Sequence, residues 1–273
     1  MTNAWGARGV SGPAVLVVAA SDSSGGAGLT RDVRVLTDFS VDALCVVTAV
    51  TAQSDARVIA VHPVPPEIVR AQIRAALETR HVAAIKIGML GTRATVDAVV
   101  EGLAAVESIA AAGRAIPVVV DPVLVSSSGG VLLDEDGRAA LVERLFPLAA
   151  LVTPNVPEAA AILNEPAATD EAGLIRQGGR LLGFGSRAIL LKGGHGHGQD
   201  AVDLLIRSAD GDIAVERITS QRVPGSSRGT GCALASAIAA GLASGGSLVE
   251  VCREAKSYVL RMLMSVEQGR EQA

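Results

Sequence analysis

A chain of 273 residues with 49% hydrophobic residues, 2% aromatics and a formal net charge of −4 is long enough to bury the core of one α/β enzyme domain. No apolar stretch reaches the roughly 18–20 residues needed to span a bilayer, and no basic cluster or set of stacking aromatics offers a surface for nucleic acid, so neither is an expected partner. Cys45, Cys232 and Cys252 are odd in number and lack CxxC spacing, which argues against a disulfide framework or zinc site and for a reducing, cytoplasmic setting.

Residues 1–12 carry no charged region followed by an apolar one and read as a flexible tail, with a single domain over 13–273. The strand-like run 14–20 leads into the glycine-rich Ser21-Asp22-Ser23-Ser24-Gly25-Gly26-Ala27-Gly28 and a helix over 29–39 that carries Asp32. A second strand, 43–50, is followed by Gln53 and a helix over 66–79. A third, 84–87, runs into Gly88 and Met89 ahead of a helix over 92–112. The fourth, 117–120, ends at Asp121, and a helix is expected over 138–146. The fifth, 151–153, precedes Asn155-Val156-Pro157-Glu158, which opens a helix over 156–163, with another over 170–183. The sixth, 188–192, ends on Lys192 before a glycine loop, 193–198. Residues 200–219 read as a hairpin turning at 209–212, and helices over 232–244 and 248–266 complete the chain. Strands alternating with helices predict βαβ units around a largely parallel sheet. Ligands of such sheets gather at the strands' carboxyl ends, where these polar and glycine residues fall.

The most informative segment is Arg228-Gly229-Thr230-Gly231-Cys232 with the small-residue run after it. Two glycines followed by a helix start leave free backbone N–H groups pointing outward, an anion hole suited to a transferring phosphoryl group. Cys232 at that helix start is expected to have a lowered pKa and to supply thiolate near neutrality. The loop 21–28 matches neither GxGxxG nor a Walker A sequence, which speaks against a dinucleotide site. Asp32 reads either as a solvated helix carboxylate or as a pocket acid.

Asn155 and Glu158, three apart on one helical face, can orient the waters of a Mg²⁺ ion that carries nucleotide phosphates, or can simply cap the helix. Asp121 and Lys192 add a carboxylate and a cation at strand ends. His195 and His197 lack a third ligand at a recognisable spacing and read as part of a surface loop.

Taken in order, these motifs resemble the ribokinase-like superfamily, and within it the hydroxymethylpyrimidine/phosphomethylpyrimidine kinases of thiamine biosynthesis. The resemblance rests on 21–28, Thr48-Ala49-Val50-Thr51-Ala52-Gln53, Lys86-Ile87-Gly88-Met89-Leu90, Val120-Asp121-Pro122-Val123, Thr153-Pro154-Asn155-Val156-Pro157-Glu158-Ala159, Leu191-Lys192-Gly193-Gly194-His195 and Gly229-Thr230-Gly231-Cys232. It implies a three-layer α/β/α sandwich with a mostly parallel central sheet. It implies ATP and Mg²⁺ as cofactors, an aminopyrimidine alcohol as substrate, and room for a homodimer. By resemblance Asp32 and Gln53 meet the pyrimidine, while Met89, Ala20 and Gly26 border its pocket. Asn155, Lys192 and Asp121 serve the nucleotide, and Glu158 serves the metal. Gly229, Thr230 and Gly231 cradle the transferring group, and Cys232 takes the place of the aspartate of the superfamily's sugar kinases. The chain departs from the family's usual pattern at Arg228, where histidine is common, and at Ala20, at Thr30-Arg31, at 40–43 and at Ser54. A pyridoxal or pyridoxine kinase and a non-catalytic pyrimidine-binding regulator are the alternative readings.

Overall fold

Alternation along the first strand sends Leu16 and Val18 to one face of the sheet and Val15, Val17 and Ala19 to the other, all of them buried. A strand covered on both faces requires a helical layer on each side. A computed structural model, which describes residues 12–109, 115–126, 129–193, 199–209, 212–223 and 228–271, supplies both layers.

In chain order the elements are β1 (Ala14–Asp22), α1 (Gly28–Asp38), β2 (Asp42–Gln53), β3 (Val58–Pro63), α2 (Pro66–Thr79), β4 (Val82–Ile87), α3 (Arg93–Ile109), β5 (Val118–Val120) and α4 (Glu135–Ala140). They continue with β6 (Leu151–Val152), α5 (Val156–Leu163), α6 (Glu171–Leu182), β7 (Ala188–Leu191), β8 (Asp200–Ala209), β9 (Asp212–Gln221), α7 (Thr230–Ala243) and α8 (Leu248–Glu271). The strands form one nine-stranded sheet in the order β3-β2-β1-β4-β5-β6-β7-β8-β9. The stretch from β2 through β7 is parallel, and β3, β8 and β9 are antiparallel additions at its two ends.

Ile73 of α2, Val99 of α3, Ala140 of α4, Ala159 of α5 and Leu181 of α6 fill the layer on one face. Leu36 of α1, Ile238 of α7 and Val251 of α8 fill the other. This is the expected three-layer sandwich. The chain adds β2 and β3 on one side of β1 and then returns to place β4 on the other. Strand order therefore reverses between β1 and β4, a switch point at whose carboxyl ends ligands of such sheets gather.

Two elements differ from the sequence-based expectation. β3 was not anticipated; it lies at the sheet edge with Ile59, Ala60, Val61, His62 and Pro63 all exposed, so no buried periodicity marks it. The helix expected over 138–146 is a composite. Asp134 caps α4 by accepting from the Gly137 N–H at 2.6 Å, the coil widens over Leu141–Leu145, and a 3₁₀ turn, Phe146–Leu148, closes it. Pro147 lies inside that last turn, where its missing N–H prevents a regular continuation. The N-terminal tail to residue 11, the loop with His195 and His197, and the turn residues 210–211 lie outside the described residues.

Candidate active site

The loop that leaves β1 is built around Asp22. Its carboxylate accepts from the Ser24 N–H (2.9 Å) and hydroxyl (2.8 Å), from the Ala27 N–H (2.9 Å) and from Arg228 Nη2 (3.0 Å). Burial alone would raise the Asp22 pKa, but the Ser24 bonds and the Arg228 guanidinium outweigh it and hold the carboxyl below its ordinary value. Gly28 has φ +57°, and a Cβ there would stand 2.3 Å from the Ala20 carbonyl oxygen. Gly229, at φ +75°, caps α7, and a Cβ there would stand 2.2 Å from the Gly26 carbonyl oxygen. The two glycine-rich turns, 200 residues apart in sequence, thus meet backbone to backbone. Only glycine fits at that contact.

An apolar wall lies beside them. Ala20, Ala49 and Met89 are buried together, with Val123 and Leu132 packed against them. The Thr48 hydroxyl donates to the Met89 carbonyl at 2.6 Å and fixes the turn after β4 to β2. At the end of β2, Ser23 and Gln53 exchange backbone-directed bonds, the Ser23 hydroxyl donating to the Gln53 carbonyl (2.9 Å) and accepting from its N–H (2.8 Å). The Gln53 side-chain amide is half-buried and makes no hydrogen bond among the described residues.

On the other side of the anion-hole turn, Lys192 Nζ donates to Asp121 at 2.9 Å and lies 3.9 Å from Glu158. The Thr153 hydroxyl also donates to Asp121, at 3.2 Å. A Cβ on Gly231 would stand 3.1 Å from Lys192 Nζ, so this cation lies directly under the anion-hole backbone. Burial works against the Lys192 charge, and Asp121 and Glu158 more than restore it, holding the amine above its ordinary range.

Asn155 and Glu158 form a complete capping box on α5. Asn155 Oδ1 accepts from the Glu158 N–H and Glu158 Oε2 accepts from the Asn155 N–H, both at 2.8 Å. The capping role is therefore real. It does not exhaust Glu158, whose carboxyl is pushed up to about 7, chiefly by burial and only partly relieved by Lys192. Among the described residues no three His, Cys, Asp or Glu side chains gather to hold a metal unaided. Two carboxylates beside the N-terminal turn of α7 fit Mg²⁺ in the form it usually takes, held mostly through water and phosphate oxygens. Such an ion would meet Glu158 and Asp121.

Cys232 lies in the first turn of α7, and here the sequence-based expectation is corrected. Its pKa is pushed up to about 11, with loss of solvent as the largest cause. Lys86 and a backbone hydrogen bond from Gly28 pull it down, while Asp32 and Asp121 push it up. The helix N-terminus does not overcome desolvation, so the group is a thiol at neutral pH.

Asp32 is also corrected as a wall of the pocket. It is 0% exposed, its oxygens accepting from Lys86 Nζ and from the Ser236 hydroxyl, each at 2.8 Å. Lys86, for which the sequence predicts no role, is equally buried. Burial opposes its charge, and Asp32 more than restores it. The available signal was a lysine inside the otherwise apolar strand sequence Val-Ala-Ala-Ile-Lys-Ile. Ser236 is four residues after Cys232, so the thiol and the buried ion pair address the same face of α7. The other expected residues converge at the strand ends: Ala20, Gly26, Gln53 and Met89 toward β1 and β2, and Asp121, Asn155, Glu158 and Lys192 around β5–β7. Gly229, Thr230, Gly231 and Cys232 lie between the two groups.

Residues 22–272 match the family model described as phosphomethylpyrimidine kinase. The chain is 43% identical over 244 residues to the hydroxymethylpyrimidine/phosphomethylpyrimidine kinase of Rhizobium meliloti, covering 89% of this chain and 88% of that protein. It superimposes on the crystal structure of phosphomethylpyrimidine kinase from Clostridium difficile with TM-score 0.76 at 33% identity, covering 92% of this chain and 99% of that one. An ADP complex of Bacillus subtilis pyridoxal kinase superimposes with TM-score 0.79 at 26% identity, covering 90% of each chain. With a family model matched over 22–272 and a relative 43% identical over 89% of the chain, the chain belongs to the phosphomethylpyrimidine kinase family and is a phosphotransferase.

Proposed function

We propose that the enzyme transfers the γ-phosphoryl group of ATP to the hydroxymethyl oxygen of 4-amino-5-hydroxymethyl-2-methylpyrimidine and, in a second step, to the monophosphate so formed. The observation that carries this reading is the contact of Gly229 with the Gly26 carbonyl. It supports reading the Gly229–Cys232 turn, whose Gly231 stands close to Lys192, as the anion hole beside a substrate loop at 21–28.

In this reading the pyrimidine ring lies on Ala20 and Met89, and the Gln53 amide, with both donors and an acceptor, meets a ring nitrogen and the exocyclic amine. Lys192 and the Gly229–Cys232 backbone N–H groups hold the γ-phosphate and the charge that spreads over it during transfer. Mg²⁺, when bound with the nucleotide, neutralises phosphate charge beside Glu158 and Asp121. The new bond joins the substrate oxygen to the γ-phosphorus as the bond to the ADP oxygen breaks, and the hydroxyl proton leaves toward Cys232. A thiol raised to about 11 accepts that proton only from its small thiolate fraction. Otherwise it orients the hydroxyl while the proton departs with the product.

A second reading, phosphorylation of a pyridine alcohol, is favoured by the likeness to pyridoxal kinase. An ADP-release assay over aminopyrimidine and pyridine alcohols, each with and without Mg²⁺, separates the two. A specificity constant at least about tenfold higher for the aminopyrimidine is expected, which is about 1.4 kcal/mol of transition-state preference. The reverse order would assign the chain to the pyridine alcohols.

A further inference from the structure

Arg228 is adjacent to the cap of the anion-hole helix, and its guanidinium joins three separate segments. Nη2 donates to Asp22 Oδ2 at 3.0 Å, while Nη1 is shared among Ser24 Oγ at 3.0 Å, the Ser54 carbonyl at 2.8 Å and Asp55 Oδ1 at 3.1 Å. Asp22 and Ser24 belong to the loop after β1. Ser54 and Asp55 form the β2–β3 turn directly after Gln53. The Asp22 partner is 5% exposed and the Asp55 partner 91% exposed, so the guanidinium is anchored at one end and open to solvent at the other.

We propose that Arg228 is a positioning residue that couples occupancy of the heterocycle pocket to the shape of the anion hole. The proposal rests on the kinase reading above. A planar fork with several donors can hold these four acceptors in one register, which a histidine ring with two nitrogens cannot do. The Ser54 carbonyl is one peptide from Gln53, and Gly229 is one residue from Arg228. A ligand that fixes Gln53 therefore fixes Ser54, Arg228 and the Gly229 turn together. Ligand-free, the turn around Asp55 is held to Arg228 by the Ser54 carbonyl and by an exposed ion pair, the latter worth little in solvent. The link is thus anchored on a buried carboxylate at the loop after β1 and runs out to solvent at the β2–β3 turn.

The test uses Arg228→Ala, Arg228→Lys and Asp55→Ala, with kinetics and amide hydrogen exchange on each full-length protein. Arg228→Ala should lower kcat for the aminopyrimidine alcohol about thirtyfold and leave the KM for ATP within about twofold, because a misplaced anion hole costs transition-state binding. Arg228→Lys should recover part of the loss, and Asp55→Ala should lose only about three- to fivefold. In ligand-free protein, Arg228→Ala should speed exchange at Ala27, Ser54 and Ala233 together, and Asp55→Ala at Ser54 alone. If Arg228→Ala lowers thermal stability while kcat and the exchange at Ala27 and Ser54 stay as in wild type, Arg228 is a structural residue and the proposal fails. Should wild type phosphorylate no heterocyclic alcohol, the kinase reading fails instead, and the exchange pattern still decides whether the three segments are linked. Because Asp55 is on the surface, its variant decides the β2–β3 arm even if Arg228→Ala does not fold.

Discussion

Lys86 Nζ and Asp32 Oδ2 are 2.8 Å apart, and neither side chain reaches solvent. Replacing Lys86 with Met leaves a buried carboxylate without its cation, a loss of about 3–5 kcal/mol for a broken buried pair. The double variant Lys86→Met with Asp32→Asn should regain at least half of that in denaturant unfolding. Equal destabilisation in the single and double variants would mean that lost packing, and not the stranded charge, dominates.

Cys232 should reveal itself in the pH profile. With its pKa near 11, turnover that depends on thiolate rises about tenfold per pH unit above 7 and does not level off below 9. Cys232→Ala should flatten the profile and lower turnover at least about a hundredfold at pH 8, and Cys232→Ser, whose hydroxyl ionises even less, should be nearly as poor. If wild type and Cys232→Ala share a level profile, the thiol takes no proton.

Glu158 ties both stability and metal use to pH. Its carboxyl is raised from 4.5 to about 7 in the folded protein, so the folded state binds the proton more tightly than the unfolded chain does. The stability from this group is fully present below about pH 4.5 and is lost as the pH rises through about 7. Activity has the opposite sign, since only the carboxylate serves a cation. Glu158→Gln, which can still accept the Asn155 N–H, should flatten the stability curve between pH 5 and 8 and raise the Mg²⁺ concentration for half-maximal rate about tenfold. Unchanged Mg²⁺ dependence would reduce Glu158 to its capping role.

Gly229→Ala combines a left-handed backbone with a methyl group 2.2 Å from the Gly26 carbonyl. The strained conformation alone costs about 1–3 kcal/mol, and relief of the clash must separate the two loops. Thermal unfolding and ATP affinity should both suffer. A crystal structure of the variant with the contact intact would show that the loops tolerate the methyl group.

Gln53→Leu should remove use of the aminopyrimidine alcohol, since a partner built to be hydrogen-bonded would be left unpaired. Calorimetry should still find ATP bound as in wild type. Retained pyrimidine binding by the variant would move the ring to other contacts.

Much of this was readable before the coordinates. α5 spans Val156–Leu163 as expected because Asn155, Pro157 and Glu158 specify a helix start by local chemistry alone. The glycine-rich turns were legible for the same reason. The Lys86–Asp32 pair was not, because it needs β4 laid beside β1, with Lys86 opposite Val17, and α1 folded over that face. The direction of the Cys232 shift escaped for a related cause: a helix start is visible in sequence, but the loss of solvent that raises the thiol pKa comes from packing. β3 went unread because a strand exposed along its whole length carries no buried pattern.

The helix behind the anion hole has one further consequence. From Ala233 to Ala240 every residue of α7 is buried, and five of the eight are alanines. Small side chains thus make up most of the packing of α7 in its layer, so their size acts as a spacer for the Gly229–Cys232 turn above Asp121 and Lys192. Enlarging Ala235 or Ala239 should therefore shift the whole N-terminal turn and lower the catalytic rate from positions remote from any ligand.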